Sequence, residues 1–119
     1  MEKNKALSLL SIATRAKKIK SGEFMTENSI KSGEAYLVII AKDASDNTKK
    51  KFKDMCSFYE TDCIEFSTKE NLAAAMGKES MAILSICDEG FTKSFLKKLE
   101  ESDLGNIRGV SENGKNEST

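Results

Sequence analysis

Lys17, Lys18 and Lys20 run into Ser21-Gly22-Glu23, and the chemistry such a run suits is the holding of a phosphate. A glycine turn that opens a helix leaves backbone N–H groups without partners. Ammonium groups beside them complete a cradle for phosphate oxygens. The same residues also fit a solvated helix end, because lysine-rich stretches are common on surfaces. A second basic run, Lys49-Lys50-Lys51 with Lys53, points several ways around Phe52 at helical spacing and reads as a wet helix face. A third place is Met76-Gly77-Lys78-Glu79-Ser80. It lies between a helix and a strand, the reverse of the order a phosphate-binding P-loop requires, so Gly77 reads as a helix stop.

Other chemistries are excluded by what the chain lacks. There is no His, which removes Ser–His and Cys–His nucleophile pairs and the commonest base at neutral pH. Cys56, Cys63 and Cys87 form no CxxC, so they read as small apolar residues in a reducing compartment. The acidic pairs Asp43/Asp46 and Asp88/Glu89 suit helix starts, and Glu60/Asp62 reads as loop polarity. No catalytic constellation, metal set or cofactor motif emerges, and the expectation is a non-enzyme.

The elements that must position these residues follow from apolar spacing. Leu7, Leu10 and Ala13 predict a first helix within residues 1–17. Glu23 to Ser32 predicts a second, with Phe24, Ile30 and Met25 as apolar points and Gly33 as its stop. Tyr36 to Ala41 is an unbroken apolar run of strand length, suited to a strand covered on both faces. Asp43-Ala44-Ser45 offers caps for a helix over 46–59, whose face holds Phe52, Met55, Cys56 and Tyr59. Cys63 to Phe66 predicts a short strand. Ser67 and Glu70 have capping-box spacing ahead of a helix through Met76. Met81 to Cys87 predicts a buried strand, and Asp88 to Leu99 a last helix with Phe91, Phe95, Leu96 and Leu99 apolar. Lys17 to Ser21 is a candidate edge strand. Helices alternating with strands predict an α/β/α domain, a central sheet sandwiched between layers of helices.

The 119 residues suffice for one domain, read as residues 1–100 with a polar tail over 101–119, mobile at least from Ser111. The chain carries 19 basic and 19 acidic residues, so bulk charge does not hold it to a polyanion and a local patch must. Residues 1–20 hold six basic residues against one acidic, which supplies such a patch. No apolar stretch approaches the roughly 18 residues that cross a bilayer, and the chain reads as cytoplasmic, without a membrane partner.

Several phrases, in order, resemble the ribosomal protein L-seven-Ae/L-thirty-e family of kink-turn RNA-binding proteins, and its short bacterial YlxQ-like branch in particular. They are Leu10-Ser11-Ile12-Ala13-Thr14-Arg15-Ala16-Lys17-Lys18, then Ser21-Gly22-Glu23. Leu37-Val38-Ile39-Ile40-Ala41-Lys42-Asp43-Ala44-Ser45 follows with Asn47-Thr48. Leu72, Gly77-Lys78-Glu79 and Asp88-Glu89-Gly90-Phe91 complete the set over about residues 4–100. The resemblance implies an L-thirty-e-like fold, a three-layer α/β/α sandwich with a small mixed central sheet, and a non-catalytic protein for structured RNA, ribosomal or riboregulatory. Ribosomal or transcription and translation factors are further candidate partners. It also implies an RNA face built from the start of the second helix and the loop before the last strand. That face takes in Lys17, Lys18, Lys20, Ser21, Gly22, Glu23, Phe24, Met25, Asn28, Lys31 and Lys42, with Gly77, Lys78, Glu79, Ser80 and Met81. The family motif Gly-x-Asn-Glu-x-x-Lys finds its Gly in Gly22, but Phe24, Met25 and Asn28 stand at the Asn, Glu and Lys positions. An apolar pair in place of polar readers also suits a protein–protein adaptor that kept the fold. Lys17, Lys18, Lys20, Gly22 and Lys78 are expected to form one patch.

Overall fold

The computed structural model describes residues 5–106, and the tail from Ser111 lies outside them. The elements are α1 (Lys5–Arg15), β1 (Ile19–Ser21), α2 (Glu23–Ser32), β2 (Leu37–Ile40), α3 (Asp46–Tyr59), β3 (Asp62–Glu65), α4 (Lys69–Met76), β4 (Ile83–Ile86) and α5 (Glu89–Asn106). The four strands lie in the order β1-β4-β2-β3. β2 and β3 are parallel, while β4 runs antiparallel to both β2 and β1. This is the expected α/β/α architecture with its mixed sheet, and residues 19–21 form the edge strand.

β2 and β4 are buried at every position, because helices cover both faces of the sheet. α2 packs on β1 and β4 and beside α3, which covers β3; α1 packs with α4 and α5 on the other side. Phe52 of α3 and Phe95 of α5 are fully buried, one from each layer.

Two boundaries and one helix face differ from the spacing-based expectation. α4 is capped by Thr68, whose Oγ1 accepts from the Asn71 amide at 3.1 Å, not by Ser67. Ser67 instead turns the chain at a left-handed φ of 60°. α5 runs past the compositional change at Glu100 to Asn106. In α2 the inward face is Thr26, Ser29 and Ile30, whereas Phe24 and Met25 point to solvent. The reason is a polar seam that apolar spacing does not register. Ser29 Oγ and Ser85 Oγ share a buried hydrogen bond of 2.7 Å, Ser29 Oγ also donates to the Thr26 carbonyl, and Thr26 Oγ1 donates to the Lys20 carbonyl at 3.4 Å. Satisfied in this way, hydroxyls can occupy the helix–sheet contact without an unpaired polar group.

Candidate nucleic-acid interface

One end of the sheet gathers the pieces that bear on phosphate chemistry. β1, β2 and β3 all finish there and β4 begins there, as the strand directions require. The Gly22 amide donates to the Ile83 carbonyl at 3.0 Å, so the start of α2 lies against the start of β4. The loop carrying Gly77, Lys78, Glu79 and Ser80 reaches β4 at this point. The Ala41 amide donates to the Ala82 carbonyl at 2.8 Å, and the Lys42 amide to the Ser67 carbonyl at 2.8 Å. The Asp43 carboxylate accepts from the Lys69 amide at 2.8 Å, so the loop after β2 caps the helix after β3. Four chain segments are thus tied into one rim.

Gly22 makes the corner. Its φ of 88° and ψ of 165° fall where glycine alone rests without strain, and a Cβ added there would meet nothing within 4 Å. The Gly22→Ala variant is therefore expected to lose about 1–3 kcal/mol through backbone torsion alone. Urea unfolding should show a lower midpoint at constant slope. An unchanged midpoint would show that the corner carries no strain. Gly22 also brings no capping side chain to α2, so the first amides of the helix face outward uncapped.

The acids of α2 are drawn sideways. Glu23 accepts from Thr48 Oγ1 at 3.1 Å and lies 3.8 Å from the Lys51 ammonium. Glu27 meets Lys51 at 3.5 Å and Lys31 at 2.8 Å. The Lys31 hydrogen bond and charge hold the Glu27 carboxyl below its usual range, and the same bond raises Lys31. The remainder of the α3 basic run is also engaged. Lys49 and Lys53 reach Glu65, and Lys50 pairs with Asp54. What α2 presents openly at the rim is therefore Phe24, Met25 and Asn28. Lys42 and Lys78 are exposed, with no ion-pair partner among the described residues.

The expected single lysine patch is divided. The Cys87 amide donates to the Lys18 carbonyl, and Ile19 pairs with Ile86, so Lys17 and Lys18 sit at the opposite end of β1 from Gly22. The three residues of β1 separate Lys18 from Gly22, four steps or about 13 Å of extended backbone. Lys20 lies between them, opposite Ser85. Ser21 ends β1 beside Leu84. Met81 is only 6% exposed and belongs to the core, so its side chain is not part of the surface. Lys31, near the end of α2, is tied to Glu27. Spacing gives Thr48 no bonding role, makes Lys51 part of a wet helix face and makes Asp43 a cap for the helix over 46–59; the structure turns Thr48 and Lys51 to α2 and Asp43 to α4. Their partners lie 25, 24 to 28, and 26 residues away, and no local pattern encodes such pairings.

Cys56 and Cys63 bring their thiols together between α3 and β3. The Cys56 thiol is pushed up, first by its hydrogen bond to Cys63 and then by burial, while the same bond and the Lys53 charge lower Cys63. Among the described residues no group of three His, Cys, Asp or Glu side chains is placed to hold a metal ion. No helix among them is long and apolar enough to cross a membrane.

Comparison with known proteins places this arrangement. Residues 4–96 match the model of the ribosomal protein L7Ae/L30e/S12e/Gadd45 family. A protein of Enterococcus faecium named RNA-binding protein YlxQ is 38% identical over 98 residues, which are 82% of this chain and 94% of that protein. Its namesake in Bacillus subtilis (strain 168) is 34% identical over 92 residues, 77% of this chain and 92% of its own. Among solved structures, a protein of unknown function from Bacillus halodurans superposes with a TM-score of 0.78 at 31% identity, covering 82% of this chain and 99% of its own. The Giardia lamblia 15.5kD RNA binding protein superposes at 0.67 with 21% identity over 82% of this chain and 83% of its own, a likeness of fold. With the family model covering its sheet and most of its helices, this chain belongs to the ribosomal protein L7Ae/L30e/S12e/Gadd45 family.

Proposed function

We propose that this protein is a non-catalytic, cytoplasmic binder of structured RNA, that the RNA is kink-turn-like and ribosomal or ribosome-associated, and that it meets the protein at the rim. The observation carrying this reading is the Gly22–Ile83 hydrogen bond. It makes one surface of two segments far apart in sequence, with the uncapped start of α2 on one side and the Lys78 loop on the other. The names of the Enterococcus and Bacillus relatives support an RNA partner. The pairing of Glu23 and Glu27 with lysines supports it too, since it lessens the repulsion that a polyanion would meet at α2. Lys17, Lys18 and Lys20 then face RNA flanking the bend.

A salt titration tests the reading. Affinity for a kink-turn hairpin should fall linearly on a log–log plot, with a slope of about −0.9 per phosphate neutralised. It should exceed the affinity for a straight duplex of equal length at every salt concentration. Equal affinity for the two RNAs would refute recognition of the bend. No binding to either would refute the RNA reading.

A further inference from the structure

Phe24 is a large apolar side chain left 74% exposed on the first turn of α2, and Met25 beside it is 41% exposed. Solvating a phenyl ring forgoes the free energy of burying it. The inward positions of the same helix are taken by Thr26, Ser29 and Ile30, and the hydroxyls there are bonded to the sheet. The fold thus has a fixed way to seat α2 that turns Phe24 outward. The acids of its own helix are paired with cations, Glu23 with Lys51 and Glu27 with Lys51 and Lys31, which lessens the negative charge beside the ring. The ring stands two residues from the Gly22 corner, hence on the rim, where Lys42 and Lys78 lack acidic partners among the described residues. A phenyl ring has neither donor nor acceptor, so it cannot read the edge of a base. Its face can take the face of a base that has left its own stack.

We propose that Phe24 is the stacking platform for one unpaired nucleobase of the RNA bound at this rim, with Met25 packing against its margin. The protein then recognises that nucleotide by its face and tolerates any of the four bases there. This rests on the RNA reading of the rim, and it specifies what the apolar part of the rim takes.

The test uses the full chain and a kink-turn hairpin carrying 2-aminopurine at each unpaired position in turn. One position should change its emission on binding. Phe24→Leu should abolish that change and weaken binding about five- to a hundredfold, the range reported by removal of a base-stacking aromatic. Phe24→Tyr should keep both. Exchanging the four bases at that position should alter affinity by less than about threefold, stacking being sequence-tolerant. Removing the base from that nucleotide should cost as much as Phe24→Leu, and the two changes together no more than either alone. The exposed ring is not needed for folding, and an unchanged melting curve for Phe24→Leu verifies this. If Phe24→Leu binds as tightly as the parent with the same emission change, stacking is overturned while RNA binding at the rim stands. The ring would then be left for a protein contact. If the parent binds no RNA, the reading of the rim itself fails and the stacking proposal with it.

Discussion

Phe95→Ala is expected to lower stability by about 3–5 kcal/mol, the range for emptying a buried phenylalanine site. Phe95 is fully buried, and its ring meets that of Phe66 edge to face, with centroids 5.2 Å apart and planes at 89°. α5 supplies this ring to a layer it shares with α1, and neither β4 nor α1 can move to close the gap without breaking the sheet contacts. Deletion removes the burial of the ring, its aromatic contact and the close packing around it. For a domain of this size such a loss lowers the melting temperature by about 15 °C or more. Leu96, one residue further, is 38% exposed, and Leu96→Ala should change the melting point little. Thermal unfolding followed by circular dichroism reads both. Equal shifts for the two variants would show that α5 does not pack through Phe95.

The second large effect concerns charge. Lys42→Glu combined with Lys78→Glu should weaken binding to a kink-turn hairpin by roughly two orders of magnitude at 0.1 M salt, and flatten the salt dependence by about two units. Both residues are exposed, so the melting temperature should hold. Lys17→Glu combined with Lys18→Glu reverses as many charges at the other end of β1, and its effect should be several-fold smaller. A larger loss from the Lys17 and Lys18 pair would move the principal contact away from the rim. The comparison is informative because the sequence alone joins these lysines to Gly22, whereas β1 holds them a strand's length apart.

That separation illustrates what the chain discloses and what it withholds. The helix over 46–59 was fully legible, and Ser45 caps it as its position suggested, accepting from the Thr48 amide. Gly33 and Gly77 stop α2 and α4, and Asp88 accepts from the Phe91 amide at the start of α5. Each of these is a short-range event, encoded within a few residues. The inward face of α2 was not legible. Phe24 and Met25 look like core residues by type, and Thr26 and Ser29 like surface ones. The order inverts because Ser29 finds Ser85 across 56 residues. The candidate site divides along the same line. Gly22 and its turn stand out in the sequence, whereas the bracing of Glu23 by Thr48 and Lys51, and of Lys69 by Asp43, exists only once α3 and α4 start at the same end of the sheet. For Met81 the apolar run predicts the start of a buried strand whereas the family resemblance implies the RNA face, and the core claims it because β4 enters the sheet two residues later.

The Asp43 bond to the Lys69 amide, with the Lys42 and Ala41 amides beside it, has a kinetic corollary. Connecting segments stitched to one another before any encounter have little disorder left to surrender when a ligand lands. Association then proceeds as a rigid-body docking, paced by diffusion and long-range attraction, without waiting for a segment to fold.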